Sequence, residues 1–212
     1  MNVEVCFRYQ QVIDSICDFR WEDLTHEEME SAAWAYYFFS VQFRENLMIA
    51  RALYPSDEKL ADLERGECDT DNLSPWYTVA LAGERMNHDE FMRRALTLLP
   101  VEPEKLARFT EMGNAYLADM RERDAVSRAL SIASYEDGGL ERVFNAILRF
   151  KHWDNALLRA FEHFLVRHIK FDSDPEEGHG ALCRHLPPDD RVLPIWEAFR
   201  QLFIGFVPRL SL

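Results

Sequence analysis

Apolar residues recur three and four positions apart along most of the 212-residue chain, and no segment alternates singly, so the pattern predicts helices and no strands. Val5, Tyr9, Val12, Ile13 and Ile16 predict a first amphipathic helix within Val3–Phe19. Thr25 followed by Glu28 reads as a capping box, opening a long helix from about His26 to Tyr54 that Pro55 stops. That helix is apolar on more than one side, as expected of a central, well-covered element. The acidic run Glu64–Asp71 reads as a loop, after at most a short helical piece. Ser74-Pro75 predicts a helix start, running to about Leu99. Pro103 opens the next helix, and Ala125–Lys151 is helical on both sides of Gly138-Gly139, where a kink or break is predicted. Helices over Trp153–Phe171 and Asp190–Phe206 complete the set. The expectation is one all-α domain spanning residues 1–212, a bundle of about seven helices.

Three of the apolar stripes carry polar residues at positions that should face the core. Glu84 and His88 fill the gap between the groups Tyr77, Ala80, Leu81 and Phe91, Met92, Ala95. Glu136 interrupts a stripe running from Ala129, Ile132 and Ala133 to Val143, Phe144 and Ile147. The stripe Leu157, Phe161, Leu165 continues at helical spacing onto His168 and Asp172, with His179 following. Buried polar groups are costly unless satisfied. Inward carboxylates and imidazoles from facing helices are how bundles hold a pair of iron or manganese ions. Each group also has a plainer reading: Glu84 with His88 as a surface pair, Glu136 as a solvated helix end, His168 with Asp172 as a hydrogen-bonded pair.

Composition narrows the function classes. Apolar residues make up 48% and aromatics 13%, enough for a sizeable core. A net charge of −13 argues against nucleic acid and against an anionic membrane face. The four cysteines lack C-x-x-C spacing and read as free thiols of a reducing compartment, and no signal peptide or membrane span is legible. A cytoplasmic protein is expected.

The matches GERMNHDEF (Glu84, His88), ASYEDGG (Glu136) and RHIKFDSDPEEGHG (His168, Asp172, His179) resemble the haem-oxygenase-like di-iron oxidases. The resemblance spans roughly Pro75 to Leu186, with no long identical string. It implies a haem-oxygenase-like helical fold and two labile irons ligated by Glu84, His88, Glu136, His168, Asp172 and His179. It implies dioxygen as co-substrate, oxidising a small amine- or carboxylate-bearing metabolite. Relatives often place the first glutamate seven residues before its histidine, where this chain has Leu81. His179 also stands seven residues beyond Asp172, farther than is common. In an unbroken helix His168 and His179 would be about 16 Å apart, so the backbone must fold back near Pro175, Gly178 and Gly180, or Glu176 takes the slot. The turn Ser173–Gly180 is expected to be mobile and to order on binding. Substrate is expected against Tyr37, Phe38 and Val41 of the long helix, and a homodimer is the expected assembly. The alternatives are a thiaminase-like hydrolase needing a cysteine nucleophile such as Cys183, and a metal-free binding or accessory protein.

Overall fold

The computed structural model describes residues 7–172 and 178–211; the side chain of Asp172, and residues 1–6, 173–177 and 212, lie outside the described residues. Among the described residues every regular element is helical, and ten α-helices occur: α1 (Arg8–Cys17), α2 (His26–Leu53), α3 (Glu58–Cys68), α4 (His88–Leu96), α5 (Pro103–Arg121), α6 (Ala125–Glu136), α7 (Gly139–Ile147), α8 (Ala156–Asp172), α9 (His179–Cys183) and α10 (Leu193–Phe206). The count exceeds seven because α3 and α9 are helices in their own right and because the glycine pair divides α6 from α7. Gly138 has φ +90°, a conformation a side chain would oppose, and it ends one helix where the next begins.

Helix α2 is the centre of the molecule. It packs against α3, α4, α5, α6, α8 and α10, which explains why it is apolar nearly all round. Its start is the expected capping box: Thr25 Oγ1 accepts from Glu28 N at 3.3 Å, and Thr25 N donates to Glu28 Oε2 at 2.8 Å. A dense aromatic layer surrounds it, with Tyr36 against Phe144, Phe161 and Phe164, and Phe39 stacked on Phe199.

The helix expected from Pro75 does not form. Residues 69–87 make an irregular strap, and helix begins only at His88. The strap folds back on itself through the backbone pairs Thr70–Met86 and Trp76–Ala80, with Gly83 at φ +74°. Helix α8 holds it: Arg167 donates to Asn72 O at 2.7 Å, and His163 Nε2 donates to Leu73 O at 2.8 Å. These contacts outweigh the local start signal of Ser74-Pro75. No helix among the described residues is long and apolar enough to cross a membrane.

Candidate metal centre

Five buried side chains from five helices meet beside α2: Glu67 of α3, His88 of α4, Glu136 of α6, His168 of α8 and His179 of α9. Glu67 stands between the others. Its Oε2 lies 2.7 Å from His88 Nδ1, which in turn lies 2.8 Å from His168 Nε2. Its Oε1 lies 3.0 Å from His179 Nδ1, which is 3.2 Å from Glu136 Oε2. Two trios result, Glu67–His88–His168 and Glu67–Glu136–His179, each with its ligand atoms within 4.8 Å of one another and able to hold a metal ion. In an octahedral shell with bonds of about 2.1 Å, neighbouring donors sit about 3 Å apart, which matches these spacings. The donor set, three imidazoles and two carboxylates, suits iron, manganese or zinc.

Local structure explains how each donor arrives. On α3, Leu60, Leu63 and Glu67 share one buried stripe, so the same turn pattern that packs the helix turns Glu67 inward. His88 opens α4 beside the strap, its Nε2 2.9 Å from Asn72 Oδ1. His168 is fixed by Phe164, whose carbonyl accepts from Nδ1 at 2.8 Å and whose ring stacks on the imidazole at 4.0 Å between centroids. Glu136 is the last residue of α6 before the glycine break. Helix α9 folds back onto α3, α6 and α8, carrying His179 between the two carboxylates. Gly180 makes the approach feasible, since a Cβ there would lie 2.8 Å from the Glu136 carbonyl oxygen.

The electrostatics favour ligand forms. Burial raises the Glu67 carboxyl, but the His88 and His179 rings beside it reverse the shift and hold it well below the usual carboxylate range. Burial and the neighbouring His88 lower His168 to about 3, so its imidazole is neutral at pH 7. Burial pushes the Cys183 thiol up, with the charges of Glu136 and Glu67 adding to the effect.

The structure therefore brings together four of the six residues expected as ligands: His88, Glu136, His168 and His179. Glu84 is not among them. It lies on the strap, accepting from Leu81 N at 2.9 Å and pairing with Arg94 at 2.6 Å, because the helix that would have aimed it inward does not exist. Asp172's side chain and Glu176 lie outside the described residues. Glu67, hidden in an acidic run read as a loop, takes the place assigned to Glu84. The spacing of Leu60, Leu63 and Glu67 is the signal that identifies it.

The cavity at the cluster is small, about 20 Å³, enough for a water-sized occupant. The residues of α2 that line it are Tyr36, Phe39, Ser40, Phe43 and Arg44. Tyr37 and Phe38 instead line a separate cleft of about 490 Å³ toward α5, and Val41 packs half-buried elsewhere against the core. A turn of about 100° per residue separates the two faces. The chain matches no protein-family model, and no curated protein matches it significantly.

Proposed function

We propose that this chain is a non-haem di-iron oxidase or oxygenase of haem-oxygenase-like fold, acting on a small carboxylate-bearing molecule. The observation that carries the reading is the position of Glu67, with one carboxylate oxygen toward each histidine-containing trio. A carboxylate so placed could serve two cations at once, and the charges of Glu67 and Glu136 would offset part of theirs. The all-helical fold and the chain order of His88, Glu136, His168 and His179 support the resemblance.

Bound ferrous iron would supply the electrons and open coordination positions needed to reduce dioxygen. The protein's own part is positioning and exclusion. His88 and Glu67 would serve one ion with His168, and Glu136 and His179 the other with Glu67. Phe39, Phe43, Leu140 and Phe164 keep bulk water from the cluster. Of the residues lining the cavity, Arg44, Cys68 and Asp89 alone retain solvent exposure, so the cavity opens there. Arg44 is the one arginine or lysine on that wall, held at its Nε by Asp89 at 3.0 Å. Asp89 offsets the Arg44 charge, and the guanidinium N–H groups that Asp89 leaves are what a substrate carboxylate would meet. The raised thiol of Cys183 speaks against a cysteine hydrolase.

The test is oxygen uptake by ferrous-loaded protein against panels of small carboxylates and small amines. Carboxylates that accelerate uptake in the wild type, and lose that effect in Arg44→Gln, support the reading. Uptake no faster than that of free ferrous iron with every compound overturns it.

A further inference from the structure

Asn72 sits where three elements meet. Its backbone carbonyl accepts from Arg167 Nε and Nη2 of α8 at 3.1 and 2.7 Å. Its side-chain Nδ2 donates to Gly66 O of α3 at 3.0 Å, and its Oδ1 lies 2.9 Å from His88 Nε2 of α4. The contact with Gly66 settles which way the amide points. A carbonyl only accepts, so the NH2 faces Gly66 and the oxygen faces His88. An oxygen there requires a proton on His88 Nε2.

The consequence reaches the cluster. A neutral imidazole carries one proton, so a proton held at Nε2 leaves Nδ1 as a bare lone pair. His168 is fixed in the complementary way: its Nδ1 donates to Phe164 O, leaving Nε2 bare. When both rings are neutral, two lone pairs and the carboxylate oxygen Glu67 Oε2 converge at 2.7 and 2.8 Å, and a single cation, a proton or a metal ion, serves all three. In the metal-free protein a proton fills that role, and a metal ion would displace it.

We infer that Asn72 is a positioning residue that holds a proton on His88 Nε2, so that His88 presents Nδ1 to the Glu67–His88–His168 half of the centre. This rests on the metal reading above for its consequence, but the tautomer itself does not. The strap, which follows Glu67 in the chain and ends at His88, thereby becomes part of the site, pinned for the purpose by Arg167 and His163.

The experiment has two arms, on wild type, Asn72→Leu and Asn72→Asp. In metal-free protein, nitrogen-resolved NMR of the imidazoles reports which nitrogen of His88 is protonated. A proton on Nε2 in the wild type and in Asn72→Asp, which retains the acceptor, with loss of that fixed state in Asn72→Leu, supports the inference. A bare Nε2 in the wild type overturns it, whatever the protein binds. In the second arm, zinc binding is followed by chelator competition. Asn72→Leu should weaken one of the two steps roughly 10–100-fold and spare the other, with Asn72→Asp recovering most of the loss. Equal weakening of both steps in both variants would mean a merely structural role and overturns the inference. A wild type that binds no zinc but shows the Nε2 proton would count against the metal reading and not against the role of Asn72.

Discussion

His88 Nδ1 and His168 Nε2 lie 2.8 Å apart although eighty positions separate the residues in sequence. Both rings are buried, and each carries a further hydrogen bond on its opposite nitrogen. Glu67 closes the triangle and extends it to His179.

Glu67 is accordingly the residue whose loss should damage both halves at once. Glu67→Gln keeps the shape and removes the charge. It should weaken both binding steps by more than the roughly 10–100-fold that loss of an outer-shell partner costs. Glu84→Gln should leave both steps as in the wild type, since Glu84 pairs with Arg94 on the strap. Isothermal titration of the two variants with zinc checks the contrast, and the reverse pattern would restore Glu84 to the site.

The second half depends on α9. His179→Ala should spare folding and the ion at Glu67–His88–His168 while weakening the other, whereas His168→Ala should weaken the first and spare the second. Gly180→Ala should act like His179→Ala from outside the donor set. Its Cβ would meet the Glu136 carbonyl at 2.8 Å, displacing α9 at a cost of about 1–3 kcal/mol in thermal stability. Metal content after gel filtration, with a melting curve for each variant, separates these outcomes.

The cysteines beside the centre should be unreactive. Burial and the adjacent Glu67 charge push the Cys68 thiol up to about 12, and burial raises Cys183 as well. Because a raised pKa keeps the thiol protonated, alkylation of the folded protein should remain slow at neutral pH. It should keep accelerating well above pH 8.5, where an ordinary thiol levels off. Fast labelling of Cys183 at pH 7, followed by mass spectrometry, would revive a nucleophilic role.

Much of this was legible from residue spacing. The capping box of Thr25 and Glu28, the proline start of α5 and the break at Gly138 are local signals, and local physics decides them. The inward stripes of α6 and α8 likewise carry Glu136 and His168 to the core. The strap was not legible. Ser74-Pro75 looks like a helix start, but bonds from Arg167 and His163, some ninety positions away, claim that backbone instead. Glu84 was misplaced for that reason. Glu67 was missed because its acidic neighbours resemble a solvated loop, although Leu60 and Leu63 mark the helical face it shares. The face of α2 turned to the site, with Tyr36 and Ser40 in place of Tyr37 and Phe38, is one residue's rotation that an all-round apolar helix does not encode.

The central claim, two ions bridged by Glu67, is tested most directly by anaerobic titration with ferrous iron, with bound iron measured after desalting. Wild type should approach two equivalents, and His179→Ala and His168→Ala about one each. Saturation of the wild type at zero equivalents would contradict the account outright. Two equivalents retained by Glu67→Gln with unchanged affinity would show that the carboxylate at the centre of the cluster is not the bridge.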